Sequence, residues 1–321
     1  MAVPTNTVQT YDAIGNREDL TDDIWRISPT VTPVISSVPR VDASGTFHEW
    51  QTRTLRAAGT NIQIEGDDAT ADTYNPSVRI GNYCQILRKV AQVSGTQRAV
   101  DSAGRADELD EEIMLNGLEI RRDLEFAYTQ NQASSAGGAG TGRSMAGLES
   151  WLSTNYVSEG TGTAQTTPGY SGGTVAAPTD STVQGTFEEA SLKDAIANCW
   201  AQGGNPTAVV MGSFNKRQAS GFTGVATAQR DTGNARVQII GAADLYVSDF
   251  GEHALVPDHF TRDRTALVLD YDYLALATLR DMETTELGKT GDSDRVQIIF
   301  EGTAEVRNEA ASSKVADLTT S

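Results

Sequence analysis

The sequence is poor in cysteine, in positive charge and in long apolar runs. Two cysteines in 321 residues, Cys84 and Cys199, exclude a disulfide-stapled scaffold and fit a reducing compartment. Lys+Arg of 25 against Asp+Glu of 43 gives a net charge of −18. A protein that grips nucleic acid through counterion release needs a basic face, and one held on anionic lipid needs a basic patch. The composition favours neither. The longest apolar stretches are about five residues, far short of the ~20 a membrane-spanning helix needs. The first residues, MAVPTNTVQTYDAIGNRED, show no basic and apolar leader pattern, so no signal peptide is expected.

What is present reads as an α+β chain of about two domains' length. Residues 17–27 suit a short acidic helix that Pro29 stops. Prolines 29, 33 and 39 make the next stretch an extended arm. Residues 45–64 alternate and read as a long hairpin, turned by AAGTN and returned by NIQIE. Strand material follows over 78–98. In 105–131, Leu109, Ile113, Ile120, Leu124 and Tyr128 form one helical stripe, with acids crowding the first turns. Gly-rich segments at 134–144 and 158–186 read as loop and surface excursion. Thr186 to Glu189 has the form of a capping box opening a helix that buries Leu192, Ile196, Cys199 and Trp200 and stops at Gly203-Gly204. Strands are expected at 207–211, in several runs over 236–280, and at 294–308, followed by a polar tail.

Candidate chemistry is thin. Gly137 to Ser144 is close to a phosphate-binding loop, but it follows a helix and opens none. Gly169-Tyr-Ser171-Gly-Gly173 matches a nucleophile-elbow string without the flanking strand and helix. His48, His253 and His259 have no metal-ligand spacing, and both cysteines sit among apolar residues. Asp270-Tyr-Asp272 lacks the rest of a calcium loop, and Arg121-Arg122 reads as a solvated or interface pair. No constellation supports an enzyme, a cofactor or a metal. An arm, a projecting hairpin and a rod-like helix suit a subunit that contacts neighbours.

Two groups of segments carry a resemblance. TYDAIGNREDLTDDIWRISPTVTPVISSV and TFHEWQTRTLRAAG open the chain. SFNKRQASGF and TALVLDYDYLALATLRDMETTELGKTGDSDRVQIIFEGTAEVRNEAA come later, with the long helix between. Together they resemble the major capsid proteins of tailed double-stranded DNA phages over nearly the whole chain, least at 133–185. The resemblance implies an HK97-like capsid fold and a structural protein of the virion. Residues 1–40 would be the N-terminal arm and 41–75 the extended loop lying over an adjacent subunit. Residues 76–135 and 286–321 would form the peripheral domain, with its spine helix at 105–131. Residues 136–186 would be a Gly/Thr-rich insertion and 187–285 the axial domain. By self-assembly such a chain makes pentamers and hexamers of an icosahedral shell around DNA held non-specifically. Portal and scaffolding proteins, and in some cases a decoration protein, would be partners, and the shell would form in the host cytoplasm. An encapsulin-type compartment is the alternative. Expected inter-subunit contacts are Trp25, Pro33, Trp50, Arg53 and Arg56, the arginines pairing with a neighbour's carboxylates. No lysine lies in 41–75, so a loop-lysine cross-link is not expected.

Overall fold

The computed structural model describes residues 28–68, 71–100, 107–161, 169–222 and 245–320. The helix expected over 17–27, with Trp25, and the RVQII strand at 236–240 lie outside them.

The chain begins with α1 (Pro33–Ser37) and β1 (Arg40–Asp42), then β2 (Phe47–Thr52), β3 (Val78–Tyr83) and β4 (Gln85–Ser94). Two helices follow, α2 (Gly95–Ala99) and α3 (Glu108–Thr129), then α4 (Leu148–Trp151) and the short strands β5 (Tyr156–Ser158), β6 (Tyr170–Ser171) and β7 (Thr174–Val175). After these come α5 (Glu189–Ala201), β8 (Ala208–Met211) and α6 (Ser213–Ala219). The last strands are β9 (Leu245–Ser248), β10 (Gly251–Pro257), β11 (Ala266–Leu269), β12 (Leu274–Leu287), β13 (Ser293–Val306) and β14 (Ser313–Ala316).

Two sheets organise the molecule. The first has the order β1-β12-β13-β4 and is built on a hairpin of two 14-residue strands, β12 and β13. At ~3.3 Å per residue that hairpin is about 45 Å long. α3 lies along it. Asp107 caps α3 by accepting from the Leu109 amide at 2.9 Å, and Leu109, Ile120, Leu124 and Tyr128 are buried as their spacing predicts. The second sheet has the order β5-β14-β11-β8-β10-β9. Its inner strands AVVM and ALVL are buried at every position, as expected of strands covered on both faces. One face sends Val210, Leu267 and Leu269 into a core shared with α1, α3, α4 and the roots of β12 and β13. The alternate residues Val209, Met211 and Val268 pack under Leu192 and Ile196 of α5. The chain passes between the two sheets three times: after β4, between β11 and β12 at the 3-10 turn Tyr271–Tyr273, and after β13.

Several sequence expectations are corrected. Residues 29–39 are not a continuous extended arm. Pro33 is the first residue of α1, where its missing amide costs nothing, and Pro39 lies just past the helix end. The hairpin does not return at 61–65. β2 pairs with β3 in the register Phe47↔Tyr83 to Thr52↔Val78, leaving 53–68 and 71–77 outside any strand. The stretch expected as a Gly/Thr-rich insertion, 136–186, contributes to the core. Met145, Ala146, Leu148, Trp151 and Leu152 are fully buried in the main core, and β5 is an edge of the second sheet. The polar tail contains β14, a buried strand between β11 and β5, so it belongs with the second sheet and not with the β12–β13 hairpin. The capping box does not form, because Phe187 enters the core against Phe222 and α5 starts at Glu189. Trp200 is exposed, one residue off the buried stripe, with its ring 5.2 Å from that of Phe250 in a tilted pair.

Candidate functional site

The feature most in need of a partner is the segment 53–77, and its root explains why it projects. On β2, Trp50 donates from Nε1 to the Val306 carbonyl at 2.9 Å. Its ring lies 5.5 Å from Trp151, which stacks in turn on Tyr170 at 5.8 Å. His48 Nε2 meets Glu305 at 2.9 Å, and Glu305 also accepts from Arg307. Burial acts to raise the Glu305 pKa, but these two partners outweigh it and hold the carboxyl below its usual range. On β3, the buried Asn82 accepts from the Ala146 amide at 2.9 Å and donates to the carbonyls of Ala146 and Ala304. A Cβ on Gly81 would sit 2.7 Å from the His48 carbonyl, so only glycine allows this cross-strand approach. The root is therefore fixed to β13 and to the 145–152 segment.

Beyond Thr52 the support ends. Leu55, Ile62 and Ile64 are 96%, 84% and 78% exposed. Two contacts link the limbs of the loop: the Arg53 guanidinium lies 4.7 Å above the Tyr74 ring, and Arg56 pairs with Asp72 at 2.9 Å. Both members of the ion pair are exposed, and each shifts the other, Arg56 up and Asp72 down, chiefly through their hydrogen bond. The loop thus carries large apolar side chains into solvent on a rigid stem, an arrangement that marks an interaction surface.

The five expected contact residues divide accordingly. Arg53 and Arg56 are on the exposed loop. Trp50 is half-buried, and its ring and its N–H both make contacts within its own chain. Pro33 is half-buried at the start of α1, which packs on α3, so it too serves an internal contact. Trp25 lies outside the described residues.

The motifs that suggested chemistry have structural places. The Gly-rich 137–142 turn is closed by the bridge Ser135↔Ser144. Arg143 is spent on Glu301 and on the Cys84 carbonyl. Ser171 lies in the small β6–β7 hairpin. His253 is buried in the second sheet between Ser248 and the Pro206 carbonyl, each at 2.7 Å, and His259 is exposed. Asp270 caps the Tyr271–Tyr273 turn and accepts from the Asn205 amide. Burial pushes the Cys84 thiol up to about 11 and the Cys199 thiol up to about 12, far from the reactive thiolate range. Among the described residues no group of three His, Cys, Asp or Glu side chains is placed to hold a metal. Arg122 lies 5.7 Å from the Phe260 ring, an internal contact.

A family model described as SU10 major capsid protein matches residues 3–319. The chain belongs to this family. A curated relative, the major capsid protein of Escherichia phage Phieco32, is 37% identical over 134 residues, 41% of this chain. That match spans 38% of the relative's own length. Among solved structures, the capsid of the cyanophage P-SCSP1u is similar at a TM-score of 0.63 and 12% identity, covering 99% of this chain and 97% of that one. The SrpI encapsulin of Synechococcus elongatus is similar at 0.54 and 9% identity, covering 96% and 94%. The capsid chain therefore has the HK97-like fold that phage shells and encapsulins share, and the family match places it with the phages.

Proposed function

We propose that this chain is the major shell subunit of a phage virion, assembling with copies of itself into pentamers and hexamers of an icosahedral shell around double-stranded DNA. The observation that carries the reading is the firmly rooted loop of residues 53–68 and 71–77, whose apolar side chains Leu55, Ile62 and Ile64 have no cover among the described residues. A second copy supplies that cover in a closed shell. The parts are assigned as follows: residues 1–40 to the arm, 41–77 to the extended loop with its root, and α3 with the first sheet to the peripheral domain. The second sheet with α5 and α6 forms the axial domain. The −18 charge suits a wall that encloses DNA without adhering to it. The subunit acts as a building element and not as an enzyme. Portal and scaffolding proteins are its partners in the host cytoplasm, where assembly takes place.

Electron microscopy of the purified protein tests this. The unaltered chain should form closed shells. Replacing Leu55, Ile62 and Ile64 together by serine should leave the circular dichroism unchanged, because all three are exposed, and should abolish shells. Shells of undiminished yield from the triple variant would refute the role given to the loop.

A further inference from the structure

Where the two sheets meet, one buried carboxylate carries a task that neither the core nor the extended loop explains. Glu125 on α3 is fully buried and accepts from the backbone amides of Val34 and Ile35, both at 2.8 Å. These are two of the amides that the first turn of α1 cannot satisfy itself. α1 is a single turn and half of another, too short to be stable alone. Its place on α3 is therefore set by Glu125 and by the burial of Val34, Ile35 and Val38. Ser37 at its other end interacts with Tyr271, the first residue of the 3-10 crossing between β11 and β12.

We propose that Glu125 is the bolt of a reversible latch, which holds α1 against the joint between the two sheets and which takes up a proton as it closes. The argument is electrostatic. α1 brings no ionisable side chain to the site. The loop after β10 brings Asp258, itself buried, whose carboxylate is occupied by the amides of Phe260 and Thr261. Tyr271 faces both carboxylates from the crossing turn, and Tyr128 lies one turn along α3; burial drives both phenols above the ordinary range, so they stay neutral. Arg121 lies a turn away on α3 and offers a favourable charge. A second buried carboxylate and no bonded cation make a charged Glu125 costly in the closed state. Burial accordingly pushes its pKa up to about 7, the two amide bonds and Arg121 opposing and Asp258 adding to the rise.

The sign follows from linkage. With α1 undocked, Glu125 meets solvent and titrates near the usual 4.5. The docked form therefore binds a proton that the undocked form lacks between about pH 4.5 and pH 7. Docking is strongest below that window and weakens up to tenfold per pH unit across it. Hydrogen exchange on the full-length chain reads this directly. After correction for intrinsic exchange, protection of the Val34 and Ile35 amides relative to the α5 helix should fall at least tenfold between pH 5 and pH 7.5. Glu125→Gln, neutral at every pH, should remove that slope, with protection below the wild type at pH 5 because its amide nitrogen cannot accept from one of the two backbone N–H groups, and Glu125→Ala should lower protection further at both pH values. A flat wild-type profile would overturn the latch, as would the same slope in the glutamine variant. The wild-type profile decides the matter even if a variant fails to fold.

Discussion

Lys314 is a fully buried lysine whose Nζ donates to the Glu149 carbonyl at 2.7 Å. It sits in a cluster where Arg262 pairs with Glu149 and Asp180, and Arg264 pairs with Asp317. Burial pulls the Lys314 ammonium down to about 8, though Glu149 and Asp317 oppose the shift. The unfolded chain thus holds a proton above pH 8 that the folded chain has released. Stability from this residue rises with pH from about 8 until the ordinary lysine pKa is reached. We expect about 2 kcal/mol of stabilisation between pH 7.5 and 9.5, at 1.36 kcal/mol per unit of pKa difference. Both cysteine thiols titrate above their usual range and pull the other way near pH 9 and beyond. The comparison is therefore made against Lys314→Met, which keeps the volume and loses the titration. Denaturant unfolding at the two pH values should give a larger gain for the wild type than for the variant; equal gains would show that Lys314 is not the source.

At the scale of elements, β2 and the loop it leads into differ sharply although their sequences look alike. Residues 47–52 are paired to 78–83 and tied to β13, whereas 53–68 and 71–77 have no strand partner. Polar alternation on both faces reads the same for a strand and for a free limb. The partner of β2 is 26 residues from its end and cannot be identified by local pattern. In the unassembled chain, amides of 47–52 and 78–83 should be protected from exchange and those of 53–68 unprotected. In assembled particles the loop should gain protection. A loop already protected before assembly would mean that it has cover within its own chain. The long helix was legible because its stripe repeats over 22 residues, which no strand could mimic.

For the whole molecule, the lysines decide how a shell can be held. There are five, at 89, 193, 216, 289 and 314; none lies in 41–75, and each has a partner within its own chain. Lys89 pairs with Glu119 and Asp123, Lys193 with Glu189, and Lys289 with Asp294. Lys216 donates to the Leu255 carbonyl, and Lys314 is enclosed. The loop offers Arg53 and Arg56, and a guanidinium does not deprotonate to become a nucleophile. A shell of this chain should be noncovalent. Boiled particles on a denaturing gel should run as monomers near 34 kDa, and ladders of higher mass would contradict this.

The sequence by itself determined the α3 stripe, the buried β8 and β11 runs and the likeness to capsid proteins. Each rests on local period, local composition or a long run of matching residues. Tertiary structure alone decided where the ambiguous pieces went. The tail strand β14 reads as polar because Ser313 and Lys314 are polar, yet it lies inside a sheet where Lys314 reaches a carbonyl supplied from 165 residues away. Pro33 reads as a breaker, yet Glu125, 91 residues beyond Val34, takes the Val34 amide and makes Pro33 the start of a docked helix. Trp50 reads only as an exposed aromatic of a hairpin, yet it meets Trp151 and the Val306 carbonyl within its own chain. In every such case the deciding partner is distant in sequence, and the free energy of burying a polar group depends on whether that partner arrives.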